Sequence, residues 1–576
     1  MRSYPSRRSW QRLLWPGLVT LSLLAFLVFD RPLSADCDGL NEAVPVPEAL
    51  AAAQAGQTRS IAVAGVVSAV FPGRQGLNGF FLQTPDTAQP AGIFVYAPDL
   101  SPSDRHALEP GRQIVVVARP DIWRDQPQLQ RVVSISHCAE LGVPTPQALH
   151  LPASDDRLRE LHGTLVAFPQ ELVVTGNYQL GRFGSLKLSV GSRLFRHQQR
   201  DDDRLHRIVL DDGSYAMHPE PVPYLDAQGT RRVGDRVQDV TGVLVHAFDD
   251  WRLHPVADPR FVAGNPRPEA PELPPGLRVA AFNVENYFLT LGQRGAETAE
   301  EFARQREKLF AALERQDADL LALVEVENRR EALADLVDGI NQRLPGEQHY
   351  RMLDGPEERG GDVIKVALIY RSSVLEALSP AETDTDPVHN RPPVLAAFRD
   401  RDSDRRLLVA AVHFKAKVRC PQTGDIDRGQ GCWNQLRRAQ AEALATAARA
   451  ASEDHGIDDI LLTGDFNSYA GEDPVRYLEE AGFINLVAEH LPPERQYSYV
   501  FRGESGTLDY IFASRDLAEA VTGAEVWHIN ADEPAFLGFA ERGGTSAASR
   551  GQPWRSSDHD PIVIGIRRDP AAGGTD

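Results

Sequence analysis

The sequence predicts a chain of several domains, with all-β modules in its N-terminal part and a mixed α/β domain behind them. Three observations carry this. Short apolar runs punctuated by Gly and Pro fill the chain to about residue 265, the Pro-rich run Pro266 to Pro275 interrupts it, and beyond that run apolar strands alternate with amphipathic helices. A chain of 576 residues is also too long for one core, and three or four domains is the ordinary division. Hydrophobic content of 42% and charged content of 25% are those of a globular protein and exclude wholesale disorder. The formal net charge of −20 excludes passive coating of polyanions, which needs clustered Lys and Arg. An anionic substrate must therefore be held by a local basic patch or a cation.

In residues 1–35, Arg2, Arg7, Arg8 and Arg12 precede the apolar run Leu13 to Phe29, the pattern of an export signal. Ser6-Arg7-Arg8-Ser9-Trp10 has the form of a twin-arginine signal. An uncleaved membrane anchor is the alternative, because the run approaches the ~17 residues that can span a bilayer. The expected location is extracellular or periplasmic, and four cysteines fit such an oxidising destination. Cys37 and Cys138 bracket the first β-rich region, while Cys420 and Cys432 lie close together in a Gly-rich loop, so pairing near with near is the simplest connectivity.

Residues 36–141 hold the strand-like runs Ser60 to Phe71, Gly79 to Gln83, Gly92 to Tyr96 and Gln113 to Ala118. Five or so strands in about a hundred residues suggest a small barrel of the oligonucleotide/oligosaccharide-binding (OB) type. Phe80, Phe81 and Tyr96 are either a stacking platform for bases or core. Residues 142–265 form a second β-rich stretch, in which Val174 to Gly184, with its aromatic and basic residues, is read as a packed β-turn or as a contact for a polymer, and Arg196 to Arg207 as a solvated loop or a mobile arm. Residues 266–275 read as a linker, 276–568 as the α/β domain and 569–576 as a tail. In that domain Leu277 to Asn283 is a strand, and Thr298-Ala-Glu-Glu301 is a capping box opening a helix to about Gln316. Strands over Leu320 to Val326, Lys365 to Tyr370, Val394 to Phe398 and Leu407 to Phe414 follow. A long Ala-rich helix over about Gln435 to Ala451 leads into the buried run Ile460-Leu-Leu462, and the last strands are Leu508 to Ala513 and Pro561 to Ile566.

Polar residues stand where these apolar runs stop. Asn283 closes the first strand, Glu325 the second and His413 a third; Gly464 permits a turn that brings out Asp465 and Asn467. Asp509 sits in Gly506-Thr-Leu-Asp-Tyr-Ile511, and Asp558-His559 precede the final strand. All belong to the inventory of metal ligation and proton transfer, and their convergence would make a site. Glu327 is the rival of Glu325, because residues two apart share a face of an ideal strand. Asp560 is read as an anchor of the last turn.

With these residues in place, the order and spacing of Ala280-Ala-Phe-Asn283, Glu325, Arg391 in Asn390-Arg-Pro-Pro393, His413, Gly464-Asp-Phe-Asn467, Leu508-Asp-Tyr510 and Ser557-Asp-His-Asp-Pro561 resemble the endonuclease/exonuclease/phosphatase superfamily, in its deoxyribonuclease I-like branch. Gly429-Gln-Gly-Cys-Trp-Asn434 and His528-Ile-Asn-Ala-Asp532 are similar to stretches of large secreted bacterial nucleases with OB-like N-terminal modules. The resemblance implies a four-layer αββα sandwich and metal-dependent hydrolysis of phosphodiesters. Glu325 would hold Mg²⁺ beside Asn283, with Mn²⁺ as a substitute and Ca²⁺ as a structural ion, and Asp558 would complete a second cation site. His559 would be the general base, oriented by Asp509, with Asp465 and Asn467 positioning water and a phosphoryl oxygen. His413 would protonate the leaving group or hold a phosphate oxygen; the family's carboxylate partner for it would fall near Asp362. Arg391 and Arg329 would contact phosphate. Activity should then fall below about pH 6 to 6.5, the ordinary His range.

The expected substrate is extracellular nucleic acid, DNA ahead of RNA, with membrane contact only if the N-terminal segment is retained and with no protein partner. A secreted phosphodiesterase or phosphatase acting on phospholipid or inositol phosphate is the second reading, and a non-catalytic envelope binding protein the third.

Overall fold

The Gly- and Pro-punctuated runs at the N-terminus are too short to bury their apolar faces alone, and pairing edge to edge until no edge remains solves this. In the computed structural model, which describes residues 37, 39–100, 108–196, 203–355, 360–540 and 551–568, strand Ile61–Phe71 pairs with Gly79–Gln83 on one side and Arg112–Trp123 on the other. The ladder continues from Gly79–Gln83 through Gly92–Tyr96 and Gln126–Glu140 back to Arg112–Trp123, closing a five-stranded barrel. Val63, Val67, Phe80, Leu82, Val95, Ile114 and Val116 fill it. Phe80 (0% exposed) and Phe81 (3%) are thus core and offer no stacking platform; Phe81 joins a small cluster with Leu165 and Val243 of the next module, and Tyr96 lies at the surface. Cys37 pairs with Cys138 and Cys420 with Cys432.

The second module is a nine-stranded sheet whose central strands are Leu172–Gly176, Leu186–Val190, Arg207–Leu210, Asp250–Pro255 and Val240–Ala247. Its core includes Phe536 and Leu537 from the far end of the chain, so it is finished by the C-terminal domain. Leu194–Phe195 pairs in parallel with Glu504–Ser505 of that domain. The Pro-rich run read as a linker is docked: Arg267 donates to both carboxylate oxygens of Glu533, at 2.8 and 2.9 Å, and Arg278 donates to the Pro271 carbonyl.

In the C-terminal domain, β1 (Leu277–Tyr287), β2 (Leu320–Glu327), β3 (Ile364–Arg371), β4 (Val394–Asp400), β5 (Arg406–His413), β6 (Ile460–Asp465), β7 (Asp509–Ala513), β8 (Val521–Val526) and β9 (Ile562–Ile566) form two sheets. One runs β3-β2-β1-β9-β8, the other β4-β5-β6-β7, each with short edge strands. Their facing sides share one core, in which Val279, Ala322 and Val366 of the first sheet meet Ala396, Val409 and Ile511 of the second. Helices α1 (Ala299–Gln316) and α2 (Arg330–Asn341) cover the outside of the first sheet, through Leu309, Leu313, Leu333 and Leu336. Helices α3 (Asn434–His455) and α4 (Asp473–Glu480) cover the second, through Leu444, Ala448, Val475 and Leu478. Both sheets being buried on both faces explains their near-continuous apolar runs. Thr298 accepts from the Glu301 amide at the start of α1, as its capping box requires.

The export segment read at residues 1–35 and the tail at 569–576 lie outside the described residues. Among the described residues no helix is long and apolar enough to cross a membrane.

Candidate active site

Strand register builds the site. His413 at the end of β5 pairs with Asp465 at the end of β6, and Asp465 pairs with Asp509 at the start of β7, so the three stand abreast at one sheet edge. Gly464 makes this approach feasible. Its φ is +129°, and a Cβ there would lie 2.2 Å from the Val412 carbonyl oxygen of the neighbouring strand. The β1 end meets the edge from the facing sheet, where Asn283 Nδ2 donates to Asp465 Oδ2 at 3.3 Å. Asn467 closes its turn on Asp465 through its amide (2.8 Å) and Nδ2 (3.1 Å).

His559 Nδ1 bonds Asp509 Oδ2 at 2.7 Å, and Ser498 Oγ donates to the same oxygen at 2.6 Å. Asp509 thereby fixes the imidazole's tautomer and rotation and leaves Nε2 for chemistry. The loop carrying His559 is pinned behind: Asn530 Nδ2 donates to the His559 carbonyl at 2.7 Å, and Asp560 accepts from the amides of Asn530 (2.7 Å) and Ala531 (3.0 Å). Asp560 is an anchor, as the sequence suggested. Burial alone would lower the His559 pKa, but Asp509 and then Asp558 outweigh it and raise it well above the ordinary value. This shifts the expected acid limb of activity: a base with a raised pKa becomes neutral only at higher pH than the ordinary His range.

Glu325 sits in a bulge. Its φ is +69°, and the β2–β3 register shifts between Val324 and Val326. The bulge breaks the two-residue alternation, so Glu325 and Glu327 serve different surroundings. Glu327 is consumed by the following loop of β1, accepting from the amides of Leu289 (2.8 Å) and Thr290 (3.3 Å) and from Thr290 Oγ1 (2.5 Å). Glu325 takes the Asn286 amide at 3.1 Å, and its other oxygen, Oε1, lies 3.9 Å from His413 Nε2.

Sequence reasoning missed Glu285, which stands two residues past Asn283 at a φ of +50°. Its Oε2 is buried with no partner. Burial and the Asp558 carboxylate push its pKa up to about 8, and burial with Asp509 pushes Asp465 to about 7. Burial and Asp558 also raise Glu325. A carboxylate two residues past Asn283 was the available signal. Tyr499, whose ring lies 4.7 Å from that of His559, carried none.

Ligand atoms of Asp465, Asp509 and His559 lie within 4.8 Å of one another. Asp509 Oδ2 is already taken by His559 and Ser498, however. The donors better matched to a divalent cation are Glu325, Glu285 and Asp558, oxygen ligands whose mutual repulsion a hard cation would relieve. The orphaned Oε2 of Glu285 fits that reading.

His413 is held neutral, its pKa lowered well below the ordinary value by burial and by Arg391. Its Nδ1 is buried without a partner, and its Nε2 lies 3.5 Å from Asp465. Asp362 does not orient it; that carboxylate accepts from Arg391 Nη1 at 3.1 Å. Arg391 in turn donates to the carbonyls of His413 (3.1 Å) and Phe414, so in this structure its donors go to protein and it shapes the turn after β5. Arg329 is exposed beside Thr290 and pairs with Glu331 at 3.2 Å.

Two packed sheets flanked by helices, with Asn, Glu, His and Asp side chains gathered at their ends, make the C-terminal domain a four-layer α/β sandwich with a polar site at the strand ends. Residues 280–559 match the model of the Endonuclease/Exonuclease/phosphatase family. The chain is similar to the catalytic domain of human Nocturnin with bound sulfate (16% identity over 51% of this chain and 95% of that one, TM-score 0.34). It is similar to a mannosyl-6-phosphatase of Bacteroides thetaiotaomicron (16% identity, 50% and 99% covered, TM-score 0.35). It is also similar to D. rerio TDP2 complexed with a single-strand DNA product (16% identity, 50% and 98% covered, TM-score 0.33). No curated protein matches the chain.

Proposed function

We propose that this protein is an exported, divalent-metal-dependent nuclease that hydrolyses phosphodiester bonds of extracellular nucleic acid, DNA before RNA. The observation that carries the reading is the His559–Asp509 bond of 2.7 Å beside a cluster of carboxylates in which burial and Asp558 raise both Glu285 and Glu325. The five-stranded N-terminal barrel, with its strand order and its parallel pairing of the third and last strands, supports an OB-like module beside that site.

In the reaction a water attacks phosphorus in line with the leaving oxygen. Nε2 of neutral His559 takes the water's proton as the new P–O bond forms, and Asp509 stabilises the resulting imidazolium through Nδ1. The P–O bond to the leaving oxygen breaks, giving a phosphomonoester and an alcohol. His413, at the opposite end of the three-residue row, donates a hydrogen bond to a phosphoryl or leaving oxygen. Asn467 Oδ1 and Asp465 orient the water. Mg²⁺ held by Glu325, Glu285 and Asp558 would supply charge neutralisation at the phosphate.

The test is digestion of supercoiled plasmid, linear duplex, single-stranded DNA and RNA by the chain without residues 1–35, in Mg²⁺ and in EDTA, beside His559→Ala. Metal-dependent cleavage lost in the variant is expected. No cleavage of any polymer across Mg²⁺, Mn²⁺ and Ca²⁺ would refute the reading and turn the search to phospholipids, phosphomonoesters or a binding role.

A further inference from the structure

A cleft of about 1160 Å³ runs from Glu285, Tyr499 and Asp558 of the site across the second module to the N-terminal barrel. Each of the three modules sends one tight β-hairpin into it. The barrel's hairpin turns at Arg124–Asp125 (φ 48° and 63°), the second module's at Phe248–Asp249 (55° and 62°), and the C-terminal domain's at Arg502–Gly503 (55° and 91°). Two-residue turns with both residues left-handed match strand twist and keep the tip narrow. Gly and Asn are their usual occupants, and Arg, Phe and Arg stand there instead.

The tips carry rings that face solvent: Trp123 is 58% exposed, Phe248 64% and Phe501 51%. A guanidinium lies over each. Arg124 is 5.6 Å from the Trp123 ring and 5.8 Å from Phe248, and Arg502 is 5.3 Å from Phe501. Arg182 lies 4.9 Å over Phe183, a residue of the cleft lining. Among the described residues no carboxylate pairs with Arg124, Arg182 or Arg502, whereas the cleft's Arg252 is neutralised by Asp211 at 2.6 Å and Lys187 lies 3.4 Å from Asp250. The first two hairpins are tied together, and the third is tied to the second module's sheet. His162 Nε2 meets Gln126 Oε1 at 2.5 Å, Gln126 donates to the His246 carbonyl, and Thr175 Oγ1 donates to the Gly503 carbonyl at 2.7 Å.

A ring face open to solvent beside an unpaired guanidinium is suited to a flat base next to a phosphate. A duplex hides its base faces, so the complementary ligand is an unpaired strand. We infer that the hairpin-lined cleft is a binding site for single-stranded nucleic acid, built jointly by the three modules and leading the strand to His559. This rests on the proposed nuclease function and adds the form of substrate that the non-catalytic modules select.

The experiment uses the chain without residues 1–35, a Trp123→Ala/Phe248→Ala double variant and Phe501→Ala, their folding checked by circular dichroism. Binding of fluorescein-labelled (dT)30, (dT)6 and a 30-base-pair duplex is followed by anisotropy in the His559→Ala background, and cleavage in the active background. The expected result is a Kd and KM for (dT)30 raised roughly thirtyfold or more in the double variant, the lower end of what stacking of two bases contributes. Hydrolysis of bis(p-nitrophenyl) phosphate, too small to reach the tips, should stay unchanged. Unaltered Kd and KM for (dT)30 in both variants, in a protein that cleaves it, would overturn the cleft alone. Binding of dextran sulfate or duplex with the same sensitivity to the rings would also overturn it. A protein that binds (dT)30 through the rings yet cleaves no nucleic acid would overturn the nuclease reading and leave the cleft standing.

Discussion

Replacing Asp532 by Ala should be among the costliest single changes in this protein, and its magnitude follows from what the carboxylate holds. Asp532 is fully buried where the second module meets the C-terminal domain. It accepts from Arg193, from Asn265 Nδ2 at 2.7 Å and from Tyr497 OH at 2.9 Å, and lies 3.4 Å from Arg232. Arg232 keeps Glu533 after the change, but Arg193, 9% exposed, loses its carboxylate. Breaking a buried pair by removing one partner costs about 3–5 kcal/mol, because the surviving charge stays buried. The Tyr497 and Asn265 donors add about 1 kcal/mol each if no water replaces the acceptor. The same carboxylate gives a pH signature. Burial would raise its pKa, but Arg193 and Arg232 hold it at about 2, from 3.8. Folded below unfolded means a contribution present above about pH 4 and lost as pH falls towards 2, worth roughly 2 kcal/mol. Urea denaturation followed by tryptophan fluorescence at pH 7, 4 and 2.5 reads both. The gap between wild type and variant should be largest at pH 7 and narrow below pH 4. A gap under about 1 kcal/mol at pH 7, or one that widens with acid, would refute the reasoning. Turnover should fall as well, because His528 stacks on Tyr497 at 3.8 Å and bonds Asp560, which anchors the loop of His559.

Four further outcomes are expected. His559→Ala and Asp509→Asn should each lower kcat by about 10² to 10⁴ with near-native thermal stability, measured on plasmid and on a small diester; an active His559→Ala protein would dismiss the base assignment. Glu285→Gln should raise the Mg²⁺ concentration needed for half-maximal activity about tenfold, and an unchanged titration would remove Glu285 from the cation site. The acid limb of kcat/KM should lie above pH 6.5, and Asp558→Asn, by deleting a carboxylate that raises His559, should move it to lower pH; a shift the other way contradicts the electrostatics. Gly464→Ala should destabilise the fold by about 1–3 kcal/mol and reduce activity, since the new Cβ would meet the Val412 carbonyl oxygen at 2.2 Å; a neutral result would show that the β5–β6 approach is yielding.

The alternation of strand and helix beyond the Pro-rich run, and the polar residues stopping each apolar run, were legible because periodicity and strand ends are local properties. His413, Asp465 and Asp509 come together as adjacent register partners, which sequence order alone suggests but does not align. Glu325 was separable from Glu327 only by the motif, since an ideal strand puts both on one face and the bulge at Glu325 is a tertiary fact. The bonds of Arg391 to two backbone carbonyls leave no trace in side-chain patterns, and its pairing with Asp362 is a tertiary contact. Of the two readings of Phe80 and Phe81, core is the one the structure bears out. Phe80 and Phe81 sit in strand interiors, where alternation buries them, while the exposed rings stand at or beside hairpin turns whose sequences, Trp-Arg-Asp and Phe-Asp-Asp, do not announce tight left-handed turns. Tyr178, in the stretch read as a packed turn or a polymer contact, is 70% exposed on the cleft.

The pairing of Leu194–Phe195 with Glu504–Ser505 makes the second module the outer strand of a three-stranded ribbon whose far strand is Tyr499–Phe501. The wall against His559 is therefore co-authored: a segment 310 positions upstream of its partner strand braces the hairpin that sets Tyr499 over the imidazole. A fragment begun at the Pro-rich run would keep every acid and base of the site and still lose its shape, with a bare ribbon edge and Phe536 and Leu537 turned out to water. Domains that read as separable beads on the string are, in three dimensions, joined so closely that the second module forms part of the wall of the site.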